Sequence, residues 1–449
     1  MYKKFRGVLA LVVITITLCF CDQPNEPIKK TDYEFEVNIH KNYHKHVLFR
    51  FKKNVDEKLL ASIQLPHDEL YIYDIYFTAR DTIIYLSKDT TVTQDVTIDF
   101  KKTDGQLLDS KRITVEQADT TSHDFVWTYK KFASDLGTTS IRDVEVVDAN
   151  NIWAVSDLAV PDTNGRTKYS SLIHYNGSTW EEKYIYLMFP DNFGSYLRPD
   201  GIFVFDDKTI AIVNSGVHFF DGEKITKSIY PNKEYSPNNY AFKNLESPRD
   251  VWGFSANNFY VFGTKGGLAH WDGYRWKKIE TNTDTQITDV YGYIDPVTGE
   301  KVVYVTATTI FAGFVNQSFK IINDEYTEPV FQHIDWSNHA VFSIYCPDDY
   351  TLYFGGTKIW TQRTSGVFQE TYVPDLFSMV GSIRGNGVDD ILLGGDGNTL
   401  IHFNGSTWKS YKMEIPSFYL RFNEVSVKEN TAAAVAVDGR NAYFFVGNR

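Results

Sequence analysis

The segment Ser171-Leu-Ile-His-Tyr-Asn-Gly-Ser-Thr-Trp180 returns almost unchanged as Thr399-Leu-Ile-His-Phe-Asn-Gly-Ser-Thr-Trp408. Two more divergent copies are Gly216-Val-His-Phe-Phe-Asp-Gly-Glu-Lys-Ile225 and Gly267-Leu-Ala-His-Trp-Asp-Gly-Tyr-Arg-Trp276. A second motif precedes them as Arg142-Asp-Val-Glu145, Arg249-Asp-Val-Trp252 and Thr288-Asp-Val-Tyr291. A repeat of about 35–55 residues that ends in strand and turn residues is typical of β-propeller blades.

Each repeat divides into four short strands, most clearly the unit that begins at Arg249, with strands at 250–254, 259–263, 268–271 and 274–279. We expect Asp272-Gly273 to form a two-residue turn in which both residues have positive φ. We expect the following Trp276 to pack as a wedge between neighbouring sheets. The aspartate that opens the first strand is expected to cap a turn by accepting backbone amides.

Seven such units can be counted, with first strands that begin near Ile141, Gly201, Asp250, Ile287, Ala340, Met379 and Glu424. The seventh unit has no fourth strand, but residues 125–132 have the pattern of one. Pairing these two segments would close the ring and leave no exposed sheet edge. The sequence therefore predicts a seven-bladed β-propeller over 125–449, closed by an N-terminal outer strand, with six or eight blades as alternatives.

Residues 33–115 alternate between apolar and polar side chains in short runs, with a turn at Asp104-Gly105. About seven short strands in this length are typical of an immunoglobulin-like or fibronectin-like β-sandwich. We therefore predict an all-β chain with a sandwich over 33–116, a linker over 117–124 and the propeller after it. The sandwich would act as a spacer.

The first residues have the pattern of an export signal. Lys3, Lys4 and Arg6 precede an apolar run over residues 8–18, which is too short to span a bilayer. The run ends near Cys21, in a context that resembles the lipobox of bacterial lipoproteins. This resemblance implies a signal peptide over 1–20, lipidation of Cys21 and a linker over 21–32, with plain secretion or a retained anchor as alternatives.

The propeller repeats resemble those of exported bacterial proteins in which a strand ending in His-Tyr-Asn-Gly-Ser-Thr-Trp recurs. With the lipobox, this resemblance implies a monomeric lipoprotein of the cell envelope, anchored in the outer membrane and facing the periplasm or the medium. The net charge of −12 argues against nucleic acid as a partner, because an acidic surface repels phosphates. Three cysteines exclude a disulfide scaffold, and Cys346 has the apolar neighbours of a buried, inert thiol.

The longest connections between predicted strands, at 157–170, 188–200, 230–249, 323–338 and 413–422, would all lie on one face of the propeller. We call it the long-loop face. Aromatic residues on long loops of a rigid scaffold are typical of recognition sites. The candidate ligand-binding residues are Tyr196, Arg198, Tyr235, Tyr240, Arg249 and Trp336. Their ligand would be a glycan, a peptide or a protein; the alternative is that these rings fill the propeller axis.

The sequence contains no recognisable catalytic motif, metal-ligand spacing or cofactor motif. We therefore predict a non-catalytic binding or scaffold protein with no catalytic residues, metal or cofactor. One alternative is a sialidase-like glycoside hydrolase or lyase that uses acids and arginines at the axis. Another is a partner in outer-membrane assembly or substrate capture.

Overall fold

A computed structural model gives the backbone of seven strands between residues 35 and 115. It then describes residues 120–449 except 138, 189–193, 232–247, 296–297, 310–314, 331–338, 348–350, 364–368, 377 and 416–418. The chain divides into two compact units, Met1–Thr120 and Thr121–Arg449. In the described residues, no helix is long and apolar enough to cross a membrane.

The first unit contains two antiparallel sheets, with strand orders β1-β2-β5 and β4-β3-β6-β7. The strands are β1 (Phe35–Ile39), β2 (His46–Phe51), β3 (Leu59–Gln64), β4 (Leu70–Ile75), β5 (Asp81–Tyr85), β6 (Gln94–Lys101) and β7 (Leu107–Val115). The immunoglobulin-like arrangement of these sheets stays a prediction. The signal segment and Cys21 lie outside the described residues.

The second unit consists of seven four-stranded antiparallel sheets, which confirms the predicted number of blades. We letter the strands of each blade a to d. The strand preceding the blades is β8 (Val126–Phe132). Blade 1 contains β9 (Thr139–Asp148), β10 (Asn151–Pro161), β11 (Thr167–Tyr175) and β12 (Trp180–Lys183). A hairpin of β13 (Tyr186–Met188) and β14 (Gly194–Tyr196) follows. Blade 2 contains β15 (Gly201–Asp206), β16 (Thr209–Val213), β17 (Val217–Phe220) and β18 (Ile225–Ile229).

Blades 3 to 7 repeat the same order. Blade 3 contains β19 (Pro248–Ser255), β20 (Asn258–Gly263), β21 (Leu268–Trp271) and β22 (Trp276–Lys278). Blade 4 contains β23 (Ile287–Ile294), β24 (Lys301–Thr309), β25 (Val315–Ile322) and β26 (Glu325–Pro329). Blade 5 contains β27 (Val341–Tyr345), β28 (Thr351–Gly356), β29 (Ile359–Arg363) and β30 (Gln369–Thr371). Blade 6 contains β31 (Val380–Gly387), β32 (Asp390–Gly395), β33 (Leu400–Phe403) and β34 (Trp408–Ser410). Blade 7 contains β35 (Arg421–Lys428), β36 (Thr431–Val437) and β37 (Ala442–Asn448).

Blade 7 takes its strand d from the beginning of the unit. Strand β8 pairs with β37 over its whole length, from Phe132 opposite Ala442 to Val126 opposite Asn448. The predicted closure of the ring is therefore confirmed. Because β8 and β37 pair with each other, neither of these two strands is left unpaired where the ring closes.

The hydrophobic cores lie between adjacent blades, and the repeated tryptophans are part of them. Trp276 is buried among residues of blades 2 and 3. Trp180 packs against a cluster shared by blades 7 and 1, and Trp408 against one shared by blades 5 and 6. The predicted position between sheets is confirmed, because each tryptophan belongs to, or packs against, a cluster that spans two blades.

The Asn-Gly and Asp-Gly pairs do not form the two-residue turn that we expected. Tyr175 pairs with Trp180, so four residues lie between strands c and d of blade 1. Only the glycine has positive φ, 91° at Gly177. Asn176 Oδ1 instead accepts the amides of Ser178 and Thr179, at 3.2 and 2.9 Å. The motif is thus an Asx-capped loop, in which the side-chain oxygen satisfies two backbone donors.

The histidine of the repeat has a structural role that the sequence did not reveal. His174, His270 and His402, all in strand c, each contact the first residue of strand b in the same blade. The Nε2 atoms lie 3.0 Å from Asn151 Oδ1, 2.7 Å from Asn258 Oδ1 and 2.7 Å from Asp390 Oδ1. These contacts fix the register of neighbouring strands.

One segment that was predicted as a long loop is largely strand, and a second one contains a strand. Strands b and c of blade 1 extend through most of residues 157–170, because their pairing continues to Pro161 opposite Thr167. Residues 325–329 of the 323–338 segment form strand d of blade 4. The prediction that Cys346 is buried is confirmed, with 5% exposure.

Candidate functional site at the long-loop face and the axis

Strand a of six blades contains a β-bulge at the same position. In blade 1, Asp143 pairs with Val155 and Ile141 pairs with Ser156, so Arg142 is the inserted residue. A bulge redirects the inserted side chain away from the regular alternation. The inserted residues in the other five blades are Arg249, Thr288, Phe342, Gly381 and Asn423. Together with Asp200, which precedes strand a of blade 2, we call these residues the rim.

Three arginines and two aspartates alternate at the rim of blades 1 to 3, where Arg198 and Asp157 lie next to the rim residues Arg142, Asp200 and Arg249. Arg198 donates to Asp157 through Nε at 2.9 Å and Nη2 at 2.7 Å, and Arg142 donates to the same carboxylate at 3.1 Å. Arg142 and Arg249 then share Asp200, at 3.8 and 3.0 Å. We call these five residues the arginine cluster.

The carboxylate of Asp157 in the cluster is buried, whereas the guanidinium groups are partly exposed to solvent. Asp157 is 1% exposed, whereas the side chains of Arg142, Arg198 and Arg249 are 35%, 46% and 49% exposed. Each guanidinium therefore keeps donors available to solvent while a carboxylate holds its orientation. With three cations and two anions, the cluster carries a net positive charge on an acidic protein.

An aromatic hairpin stands beside the cluster. Tyr186 in β13 and Tyr196 in β14 contact each other with ring centres 5.2 Å apart. Tyr186 and Met188 are 55% and 64% exposed. Arg198, two residues after Tyr196, lies over the Tyr169 ring at 4.4 Å. This part of the face therefore combines apolar surface with half-exposed guanidinium groups.

The other half of the rim borders a cavity of about 840 Å³. Thr288, Phe342, Gly381 and Asn423 of the rim line it, together with the Arg421–Asp396 ion pair at 3.5 Å. Its volume is in the range of about 300–1,000 Å³ that is usual for ligand pockets. The lining combines uncharged polar side chains with charged and apolar ones, which suits a ligand that has both polar and apolar groups.

Three of the six candidate ligand-binding residues belong to this described region. Tyr196 lies in the hairpin, and Arg198 and Arg249 belong to the arginine cluster, where Asp157, Arg142 and Asp200 connect them. Tyr235, Tyr240 and Trp336 lie outside the described residues. Their participation, like ligand binding by the other three, stays a prediction.

The residues that directly follow the rim residues in the sequence form a second ring, which surrounds the axis. This inner ring consists of Asp143, Gly201, Asp250, Asp289, Ser343, Ser382 and Glu424. Four of its members accept a hydrogen bond from a backbone amide of the next blade. In each case the donor is the residue that follows the inner-ring residue of that blade. The bonds are Asp143 from Ile202 at 2.7 Å, Asp289 from Ile344 at 2.9 Å, Ser343 from Ile383 at 3.1 Å and Ser382 from Val425 at 3.2 Å. The aspartates accept backbone amides as expected, but not at a turn. Asp143, Asp250 and Asp289 each accept the amide of the next residue in strand a, and Asp143 and Asp289 also accept an amide from the neighbouring blade.

A third ring follows, formed by Glu145, Phe203, Trp252, Tyr291, Tyr345, Arg384 and Ser426. It is aromatic from blade 2 to blade 5 and polar in the remaining blades. Members of the inner and third rings enclose an axial cavity of about 220 Å³. Because Glu424 lines both this cavity and the one at the rim, the two cavities adjoin.

Arg384 supplies the positive charge inside the axial cavity. Its Nη1 donates to Asp289 Oδ2 and to Ser343 Oγ, both at 3.0 Å. Its Nε lies 3.6 Å from Glu424 Oε1. Although burial opposes ionisation, the nearby carboxylates of Asp289 and Glu424 raise the pKa of Arg384, so the guanidinium stays charged.

The pKa values of acids around the cavity are raised. Burial raises the pKa of Glu145 to about 7, although Arg384 and a 3.1 Å hydrogen bond from Ser426 oppose that shift. Burial also raises the pKa of Asp143 and of Asp250, and neighbouring carboxylates add to both shifts. Within the described residues, none of these three carboxylates has a cationic side chain within ion-pair distance.

Sequence reasoning assigned no site to the axis, although the second motif contains several of its residues. The aspartate of that motif is the inner-ring residue in blades 1, 3 and 4, and the fourth residue, Glu145, Trp252 or Tyr291, is the third-ring residue. Arg384 is one of several arginines close to a strand a, but nothing in the local sequence indicates which side chains it meets. No group of three or more metal-ligating side chains is found among the described residues.

No protein-family model matches this chain, and no curated protein matches it either. Among solved structures, YCF48 bound to D1 peptide is similar at 14% identity, over 73% of this chain and 97% of that chain, with a TM-score of 0.50. This likeness shows the fold. The chain contains a seven-bladed β-propeller.

Two other similar structures fit with lower TM-scores. The extracellular domain of a one-component system from B. thetaiotaomicron is 11% identical over 71% of this chain and 40% of that chain, with a TM-score of 0.47. Virginiamycin B lyase from Staphylococcus aureus is 14% identical over 71% of this chain and 99% of that chain, with a TM-score of 0.42.

Proposed function

We propose that this chain is a membrane-anchored, extracytoplasmic binding protein whose propeller takes a peptide or protein segment at its long-loop face. The observation that carries this proposal is the arginine cluster. Arg198 and Arg249 present half-exposed guanidinium groups whose orientation is held by carboxylates. A preoriented guanidinium loses less conformational freedom when it binds than a mobile one does.

The chemistry of the cluster favours a ligand with a carboxylate. Guanidinium groups bind carboxylates through two parallel hydrogen bonds, and each charged hydrogen bond contributes about 1.5–3 kcal/mol. Tyr186 and Met188 beside the cluster suit an apolar side chain, and the cavity of about 840 Å³ at the other half of the rim contains side chains that can bind polar backbone groups. An acidic peptide has all three features. The D1 peptide bound to YCF48 supports the view that this architecture can present a peptide.

The test is a peptide and glycan array probed with the purified protein, followed by titration of the best acidic peptide. We expect Arg249→Gln to weaken binding about tenfold and the double variant Arg198→Gln/Arg249→Gln to weaken it further. Arg249→Gln leaves Asp157 with both of its arginine partners, so folding should be unaffected. Arg275→Gln is the matched control, because Arg275 lies in the c–d loop of blade 3 and is 71% exposed.

Parental affinity in the double variant would contradict the assignment of this face. Binding that is lost equally in Arg275→Gln would point to a general charge effect. A glycan that binds in preference to every peptide would refute the proposed ligand class.

The proposed anchor is tested separately. Cys21→Ser should move the protein from the membrane fraction to the soluble extracytoplasmic fraction, because two or more acyl chains are needed for stable anchoring and lipidation supplies them. Unchanged fractionation would refute lipidation at Cys21. The binding proposal does not depend on that outcome.

A second candidate function is an enzyme acting at the axis, since Glu145 and Arg384 share one cavity with several other acids. The volume of about 220 Å³ argues against a sugar substrate there, because it lies below the usual range for ligand pockets. A glycan-cleavage screen with Glu145→Gln as the control tests this candidate. Cleavage by the parent and none by the variant would favour the enzyme.

A further inference from the structure

We propose that the axial cavity is a binding pocket for an alkylammonium group, supplied either by a free diamine or by a lysine side chain. This pocket is separate from the arginine cluster, and its ligand has the opposite charge. The proposal does not depend on the function proposed for the rim.

The first argument is the charge balance of the cavity. Five carboxylates line it, together with two cationic side chains, Arg384 and Lys428. Arg384 pairs with Asp289 and approaches Glu424, so Asp143, Glu145 and Asp250 are left without a cationic partner among the described residues. Carboxylates that are partly withdrawn from water are stabilised by protonation or by a nearby positive charge. A bound ammonium group would supply that charge.

The second argument is a hydrogen-bonding group in the wall of the cavity. Tyr345 is 3% exposed as a whole residue and lines the cavity. The hydroxyl oxygen can accept a hydrogen bond from an ammonium group.

The third argument is the aromatic wall. Phe203, Trp252, Tyr291 and Tyr345 form one continuous arc of the third ring. Trp252 and Tyr291 contact each other, with ring centres 5.3 Å apart, and Tyr291 and Tyr345 lie 5.5 Å apart. Aromatic faces attract cations and also accommodate the methylene groups of an alkyl chain. An alkylammonium group therefore meets carboxylates on one side and rings on the other.

The size of the cavity selects the ligand. About 220 Å³ holds roughly seven water-sized groups, at about 30 Å³ each. A lysine side chain or a four-carbon diamine fits this space, whereas a peptide segment or a sugar chain does not.

Binding should be coupled to pH. The groups that face Glu145 across the cavity are Asp143, Asp250, Asp289, Glu424, Arg384 and Lys428. Because burial raises the pKa of Glu145 to about 7, the carboxyl is largely protonated at pH 6, and a bound ammonium group must displace that proton. We expect the affinity to rise up to tenfold per pH unit between pH 5 and 7 for each proton released.

The experiment is calorimetric titration of the purified full-length protein with 1,4-diaminobutane at pH 6 and pH 8. A second titration uses a short peptide that contains one lysine, compared with the same peptide containing norleucine. Saturable binding of either ammonium compound, tighter at pH 8, supports the proposal. The titration that shows binding identifies whether the ammonium group comes from a free diamine or from a lysine side chain.

The variants separate a binding role from a structural one. Asp250→Asn and Glu145→Gln are nearly isosteric, and each should weaken binding about tenfold or more while the fold is retained. Glu181→Gln is the matched control, because Glu181 lies in strand d of blade 1 and its side chain is 48% exposed. Absence of saturable binding in both arms would overturn the proposal, as would binding that neither axial variant weakens.

Discussion

The closure of the propeller depends on a buried arginine, and we predict that Arg449→Met destabilises the fold. Arg449 follows β37 and donates to both oxygens of Asp390, at 3.1 and 2.6 Å. It also donates to the carbonyl of Ser122 at 2.8 Å and lies over the ring of Phe125 at 4.5 Å. One side chain therefore links blade 6, the segment before β8 and the C-terminal strand.

The magnitude follows from burial. The side chains of Arg449 and Asp390 are 6% and 4% exposed, so this is a buried ion pair. Removing one partner of such a pair costs about 3–5 kcal/mol, because the other charge is left buried. Asp390 keeps His402 Nε2 at 2.7 Å and Asn386 at 2.6 Å, which places the expected loss of unfolding free energy at the lower end, about 3 kcal/mol.

The assay is urea unfolding combined with hydrogen exchange of β8 and β37. Arg449→Met should lower the urea midpoint and speed exchange in those two strands. Arg440→Met is the matched control; Arg440 is exposed in the b–c turn of blade 7, and its change should stay within about 0.5 kcal/mol. The double variant with Asp390→Asn should recover about 2 kcal/mol, since no charge is then left buried. A loss below about 0.5 kcal/mol in Arg449→Met would refute this reasoning.

Two further predictions concern backbone strain and the axial acids. Gly222→Ala should lower the free energy of unfolding by about 1–2 kcal/mol, because φ is +96°. No steric clash adds to this loss, since the new Cβ would meet nothing within 4 Å. Gly266→Ala should cost about 2 kcal/mol more, because its Cβ would lie 1.9 Å from the carbonyl oxygen of Thr283; equal thermal shifts would contradict this difference. Glu145→Gln should stabilise the protein at pH 8 by up to about 3 kcal/mol and have little effect near pH 4.5. The folded state raises the pKa of Glu145 to about 7, so the contribution of this residue to stability is lost as the pH rises from about 4.5 to 7. Urea midpoints of parent and variant at both pH values test this prediction. The same midpoint for both proteins at pH 8 would contradict it.

The candidate site could be predicted only in part. Arg198 and Arg249 drew attention because they flank strand a, and the structure connects them through Asp157 and Asp200. The positions of Tyr235, Tyr240 and Trp336 were not tested. The axial site was not predicted, although Asp143, Glu145 and Asp250 belong to the second motif, because a carboxylate in a strand has the same local sequence whether it faces solvent or the central cavity.

The sequence by itself determined the seven repeats, the closing strand and the tryptophan wedges. These features follow from short-range patterns, namely strand alternation, loop residues and a fixed spacing, which recur in every blade. The tertiary structure alone decided where the bulges fall and which side chains meet at the axis. A bulge depends on the register between two strands, and the shifted pKa values of Asp143, Glu145 and Asp250 depend on seven first strands that converge from distant parts of the chain.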